Sequence, residues 1–371
     1  MEFAISEEQA ELQKELRRFL GKYADETAVR EQLDDPSSYD RELWRRMGSE
    51  LMLQGIAIPE EYGGSGFTFV EVGLVLEELG RALTVSPFFG TCVMAAGLIQ
   101  AIGDEAVSAE LLPGIATGES VVAVALAEDA GSWRLDDVTL AASGAGADWT
   151  LDGHKSYVLD GAYADTLIVA ARTPDGPALF VVAAGAPGLT RTPMQTMDLT
   201  RKLARIEFSS TPARLVAAGD VAQGAVMTMA DLSAIALGAE CVGGNAKVLD
   251  MAVEYAKVRE QFGRAIGSFQ AIKHKCAAML VDLESSRSAA YYALWAAATG
   301  QEDRPLVAPL VKAHCVDTFV AGAGENIQIH GGIGFTWEHP AHLYLKRAKS
   351  SQLLLGDSDL HRQLLAERIG I

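Results

Sequence analysis

The feature that most constrains this chain is a change of hydrophobic period in its middle third. From about residue 119 to 224, short apolar runs alternate with turn residues: SVVAVALAE, WTLDGHKSYVL, ADTLIVAAR, ALFVVAA and ARIEFSS. Their Val, Ile, Thr and Phe content, punctuated by Gly, Pro and Asp, predicts strands. Five such runs in roughly 100 residues predict a small barrel or sandwich. On both sides the pattern is helical. In the first segment, Ser6 followed by Gln9 fits a capping box ahead of EEQAELQKELRRFL. Helices also fit DRELWRRMGSELML, VEVGLVLEELGRAL and CVMAAGLIQAI, and LLPGIATGE reads as the close of the segment. Beyond the strands, long helical patterns run over 225–258, 269–300 and 306–330, with shorter ones over 341–351 and from 358. Long amphipathic helices joined by short loops predict an antiparallel bundle. The expected class is therefore mainly α with a β middle domain, divided at 1–118, 119–224 and 225–371.

Several function classes recede on composition. The 371 residues carry 49% hydrophobic residues, ample for large cores, and suit two or three domains. A net charge of −18 with no Lys/Arg-rich run argues against nucleic acid as a partner. The start of the chain lacks the basic and apolar regions of a signal peptide. By this reading no apolar run reaches the length needed to span a bilayer, so no membrane partner is expected. Cys92, Cys241, Cys276 and Cys315 form no CxxC pair, which predicts reduced thiols, no metal site and a cytoplasmic protein.

Two stretches go beyond pattern: YAKVREQFGRAIGSFQAIKHKCAAM (255–279) and ENIQIHGGIGFTWEHPAHLYLKRAK (325–349). Together they resemble the C-terminal signatures of the acyl-CoA dehydrogenases. IAIPEEYGGSG, LEELGRA, LLPGIATGE and ADTLIVAART resemble family segments in the right order, so the likeness covers nearly the whole chain. The resemblance implies an N-terminal α domain, a β-barrel domain and a C-terminal four-helix bundle. It implies FAD as hydride acceptor and oxidation of the Cα–Cβ bond of an acyl-CoA thioester to a trans-enoyl-CoA. It also implies an electron-accepting flavoprotein as partner, and a tetramer with FAD at subunit interfaces.

The residues make chemical sense in that setting. A pyrophosphate needs fixed cationic or N–H donors, and Arg259 offers a forked, permanently charged one. In the family this Arg and the Gln matching Gln270 reach a neighbouring subunit's FAD. Phe262 can lie against flat rings, Gln328 supplies an amide, and Gly331 and Gly332 admit close backbone approach. Taken singly, each has a plainer reading: a surface ion pair for Arg259, core for Phe262, a helix end for the glycines.

The family's reaction also needs a carboxylate to take the α-proton. One family position for it matches Leu355, in LLLGDSDLHR, and the other matches Ser233. Glu240 lies on the helix face of Ser233, about 10 Å further along, in the apolar run IALGAECVGG. Burial there would favour protonation and suit a base. The competing reading is a carboxylate paired with a cation or facing a subunit interface. Asp231 and Asp357 are the other nearby acids.

The β domain departs from the family too. ALAEDAGSW stands where the family has a segment like VTEPGAGS, Tyr157, Val158 and Leu159 replace its W-I-T/S contact, and Ala234 replaces an Arg. Glu128, Asp129 and Asp357 would add negative charge near an anionic cofactor. Gly238, Gly243 and Gly244 are expected to leave space for a bulky acyl group. Two functions follow. The first is an active dehydrogenase. The second is an incomplete structural subunit of a heterotetramer, similar to those of actinobacterial steroid side-chain acyl-CoA dehydrogenases. Other chemistry on the same fold is a third class.

Overall fold

The computed structural model describes residues 5–36, 38–146 and 148–371. In chain order the helices before the strands are α1 (Glu7–Tyr23), α2 (Glu26–Glu31), α3 (Arg41–Leu51), α4 (Phe69–Ala82), α5 (Ala96–Ile102) and α6 (Glu105–Ala116). The strands are β1 (Val122–Ala125), β2 (Ala141–Ala145), β3 (Asp148–Leu159), β4 (Thr166–Thr173), β5 (Gly176–Ala183), β6 (Leu189–Pro193) and β7 (Leu203–Ala218). Then come α7 (Gly219–Val258), a hairpin of β8 (Glu260–Gln261) and β9 (Arg264–Ala265), α8 (Gln270–Ala298), α9 (Arg304–His330), α10 (Ala341–Leu353) and α11 (Ser358–Ile369).

Helix starts follow their caps. Ser6 and Gln9 form the reciprocal capping box of α1. The Asp40 and Asp104 carboxylates cap α3 and α6, each satisfying N–H groups that no helical carbonyl reaches. LLPGIATGE supplies the last turns of α6, with Pro113 inside the helix and Thr117 as its C-cap. CVMAAGLIQAI begins in π-helical form over Phe88–Ala95 before α5 takes over.

The chain forms two compact units. One contains 32–68 and 85–233. Five of its seven strands close on themselves: β4 pairs β2, β2 pairs β3, β3 pairs β7, β7 pairs β5, and β5 returns to β4. This is a barrel, with β1 parallel to β4 and β6 antiparallel to β7 at its margins. Both faces of β4 and β5 are covered: Leu167, Val169 and Phe180 share one face and Leu179 lies on the other, all buried.

The second unit contains 1–31, 69–84 and 234–371. Here α9 packs against α8, α10 and α11, and α4 packs against α1 and α8. Glycines set how closely α7 approaches its neighbours. A Cβ on Gly243 would lie 1.7 Å from the Glu77 carbonyl oxygen of α4, and one on Gly238 2.3 Å from Val311 Cγ1. At Gly244 it would lie 2.4 Å from Phe319 Cζ. These glycines therefore leave no room for an acyl group, contrary to expectation, because neighbouring helices already fill the space. The membrane expectation also needs amending. Both α7 and the 304–335 stretch are long and apolar enough to cross a bilayer, yet the most apolar windows are 78% and 56% buried within the chain. For α7 in particular, that apolarity is the mark of a core helix.

Candidate functional site

The end of α7 builds one wall of the site. Arg259 follows the helix and is exposed, and its backbone N–H still bonds the Tyr255 carbonyl at 2.9 Å. Among the described residues no carboxylate forms an ion pair with its guanidinium. The β8–β9 hairpin then turns through Phe262 (φ 54°) and Gly263 (φ 75°). Positive φ at both central positions is what a two-residue hairpin of this twist demands. The turn holds the Phe262 ring 92% exposed, so the core reading of that residue does not hold. Ile266 N–H donates to the Arg259 carbonyl at 2.7 Å, closing the hairpin base. Phe269 meets Phe262 edge-on at 6.0 Å, with the Arg264 guanidinium 4.1 Å from its centroid, and Gln270 opens α8, exposed.

The end of α9 builds the other wall. Gln328 is exposed on its last turn. Gly331 ends the helix at φ 65°, ψ −143°, a backbone state closed in practice to other residues. Both Gly331 and Gly332 are exposed, with no atom within 4 Å of where a Cβ would stand. Exposed Ile333, Phe335 and Trp337 follow. The walls are joined: Tyr255 of α7 stacks on His330 of α9 at 4.3 Å.

The proton-acceptor positions look different. Leu355 is buried in the left-handed region (φ 64°), its carbonyl accepting from His361 Nε2 at 3.0 Å. Burial, and then the nearby Lys312 charge, bring the His361 imidazole down to about 4. Ser233 is fully buried, its hydroxyl against Met229 Sδ. Asp357 caps α11 through Leu360 N–H at 2.8 Å. Asp231 is buried on α7. Glu240 is buried inside the bundle, where Arg347 Nη1 donates to its carboxylate at 2.5 Å. That is the paired arrangement which the sequence left as the alternative to a base. A pairing across 107 positions carries no sequence signal.

The barrel resolves the charge problem in its own way. Lys155 is fully buried on β3, donating to Glu128 at 2.8 Å and to the Leu126 carbonyl at 3.0 Å. Burial pushes the Glu128 carboxyl up, but Lys155, the Thr139 hydroxyl and Leu140 N–H outweigh it and hold the group at about 2. Burial brings the Lys155 ammonium down to about 8 against the pull of Glu128. Asp129 is held below its ordinary range by the Ser156 hydroxyl first, then by Arg205 and His154. Glu128 and Asp129 are thus each paired with a cation inside the barrel unit. Tyr157 sits at a β3 bulge at φ 59° and is 37% exposed, whereas Val158 and Leu159 are buried.

A helical bundle, a closed barrel and a face of exposed donors and bare glycine backbone define a flavoprotein of one class: the chain belongs to the acyl-CoA dehydrogenase family. Its residues 6–119, 123–210 and 223–370 match the family's N-terminal, middle and C-terminal domains. FAD is the family's cofactor. Among particular relatives, acyl-CoA dehydrogenase IpdE2 of Mycobacterium tuberculosis is 33% identical over 97% of both chains. Of solved structures, butyryl-CoA dehydrogenase of Megasphaera elsdenii matches with a TM-score of 0.92 at 26% identity, covering all of both chains. A chain of the ChsE4–ChsE5 complex of Mycobacterium tuberculosis matches with a TM-score of 0.90 at 28% identity, over 100% of this chain and 99% of that one.

The donor set fits FAD. The pyrophosphate needs a cation that is not already neutralised, and Arg259 has no carboxylate partner. The approach also needs backbone without side chains, and Gly331 and Gly332 provide it.

Proposed function

We propose that this chain works in an oligomeric acyl-CoA dehydrogenase whose FAD sites are completed across subunit interfaces. The observation that carries this reading is the exposed face of Arg259, Phe262, Gln270, Gln328, Gly331 and Gly332. Among the described residues the side chains of Arg259, Gln270 and Gln328 have no hydrogen-bond or ion-pair partner, and a phenyl ring 92% exposed among them fits an interface better than solvent. Bound there, FAD would supply the hydride acceptor. Arg259 would neutralise pyrophosphate charge, Gln270 and Gln328 would donate amide hydrogen bonds, and the Gly331–Gly332 backbone would close over the group without steric conflict. The substrate in this reading is an acyl-CoA, the electrons pass to a partner flavoprotein, and the protein is cytoplasmic. The domain divisions at 118/119 and 224/225 belong to the same proposal.

Glu240 is the proposed proton acceptor only if it exchanges Arg347 for substrate, since the pair occupies its carboxylate. That condition favours a second reading, in which the chain completes the FAD site of a paralogous partner and that partner holds the base. Support comes from Leu355 and Ser233, which carry no carboxylate, and from Asp357, which is committed to a helix cap. The similar fold of a chain from the ChsE4–ChsE5 complex is consistent with assembly with a second, different chain.

The deciding experiment is purification of the chain alone, with flavin absorbance, native mass and flavin reduction by acyl-CoA read together. A yellow, tetrameric, reducible protein supports the homo-oligomer, and Glu240→Gln should then abolish reduction while retaining flavin. A colourless chain that gains flavin only with a co-expressed paralogue supports the second reading. Arg259→Ala should lower flavin retention in either case. Full retention in that variant would remove the cofactor face from the account.

A further inference from the structure

His330, the last residue of α9, immediately precedes the Gly331–Gly332 turn. Its ring stacks on Tyr255 at 4.3 Å with 25° between planes, and the His339 ring lies tilted against it at 4.3 Å and 50°. Its Nδ1–H donates to the Asn326 carbonyl at 2.8 Å, since only the protonated nitrogen can face a carbonyl. A Cβ on buried Gly334 would lie 2.8 Å from His330 Cβ, so the segment after the turn folds directly back onto this residue. Tyr255 lies one helical turn before Arg259, and Arg259 N–H bonds its carbonyl.

We propose that His330 is a positioning residue: held between Tyr255 and His339, it locks the Gly331–Gly332 turn to the end of α7 that carries Arg259. The inference rests on the cofactor-face reading above and adds to it the element that registers one wall against the other. The crossings at Gly238 and Gly244 set α7 against α9 further back, and the stack carries that registration to the ends of both helices.

The same geometry makes the lock sensitive to acid. Ala341 N–H donates to His339 Nδ1 at 3.2 Å, so that nitrogen must be unprotonated to cap α10. The charged or titratable groups around the stack are Tyr255 from α7, Glu26 and Arg30 from α2, His342 and Lys346 from α10, and Glu338 in the turn. Burial, then the neighbouring His330 and Arg30, lower the His339 imidazole, while Glu26 opposes them. Burial lowers His330 against its bond to Asn326. Groups depressed in the folded state contribute their full stability above the unfolded value of about 6.5 and lose it as pH falls below that.

The test is hydrogen exchange of the 327–341 segment in the full-length protein at pH 8 and pH 5.5, corrected for intrinsic rates, with FAD retention measured alongside. His330→Ala should speed exchange of the segment about three- to tenfold at pH 8, the scale of one lost ring-stacking contact. His330→Phe, which keeps the ring, should stay within about twofold. Tyr255→Ala removes the stack from its other side and should reproduce His330→Ala, which guards against a variant that simply misfolds. His339→Gln, with an amide acceptor that does not titrate, should flatten the extra opening at pH 5.5 seen in the wild type. Unchanged exchange in both His330→Ala and Tyr255→Ala overturns the proposal. If those two open the turn while Arg259→Ala and His330→Ala both keep full FAD retention, the cofactor-face reading falls and the lock itself stands.

Discussion

Replacing Gly243 by alanine sets two physical effects against each other, and the structure decides which is larger. Helix propensity favours alanine by about 1 kcal/mol in the interior of α7. Against it, the new Cβ would lie 1.7 Å from the Glu77 carbonyl oxygen, 2.6 Å from its carbonyl carbon and 3.0 Å from Arg81 N. All three are backbone atoms of α4, so no side chain can swing aside. Ordinary contact begins at 3.4 Å, so the two helices must part by about 1.7 Å there. Gly80 and Glu240, which pack backbone to backbone at the same crossing, would be pulled apart with them. Overpacking of side chains costs about 1–3 kcal/mol, and a rigid backbone clash belongs at or above the top of that range. The net expectation is a loss of about 2 kcal/mol or more. Urea unfolding of the purified protein measures it as a lower midpoint. Gly324→Ala on α9, where a Cβ meets nothing within 4 Å, is the control and should shift the midpoint upward, if at all. A Gly243→Ala protein as stable as wild type would refute the reasoning and reopen the space for substrate.

Three further outcomes follow from the same geometry. Arg347→Met should destabilise the bundle by about 3–5 kcal/mol because it removes the cation paired with a buried carboxylate, and adding Glu240→Leu should recover most of that loss in thermal unfolding. Glu128 has a depressed folded value, so its contribution is complete above about 4.5 and disappears as pH falls towards about 2. Glu128→Gln should therefore unfold more easily at pH 7, with a flatter acid limb in a pH–stability curve. Phe262→Ser should leave the unfolding midpoint of the chain nearly unchanged while weakening subunit association in sedimentation velocity, because the ring touches little within its own chain.

Much of the fold was legible because its signals are local. The Ser6–Gln9 box, the Asp40 cap and the long periodic runs of α7, α8 and α9 each announce themselves within a few residues. β2 and β6 escaped because AASGA and LTRTP lack a run of strand-forming apolar residues, and they are recruited by their neighbours β3 and β7. The π-helical stretch over Phe88–Ala95 has no compositional mark. At the site, residue identity was readable but surroundings were not. Arg259 and the glycines announced their chemistry, while the exposure of Phe262 depended on the backbone sign of its turn. Gly238, Gly243 and Gly244 misled because a missing side chain says nothing about what fills the gap. Only the packing of Val311, Glu77 and Phe319 tells.

The hairpin that carries Phe262 has a kinetic side. Its turn is closed by hydrogen bonds within the chain, from Ile266 to Arg259 and across the β8–β9 pair, before any second subunit arrives. The entropy of ordering that tip is thus spent during folding, and none remains to be lost on encounter. In the proposed assembly, association would meet a rigid protrusion rather than a loop that must first find its shape, so collisions in the right orientation could dock without a conformational search. The same preparation leaves the unassembled chain presenting a bare aromatic ring for as long as it stays single, so its lifetime in that state depends on how soon a neighbour is found.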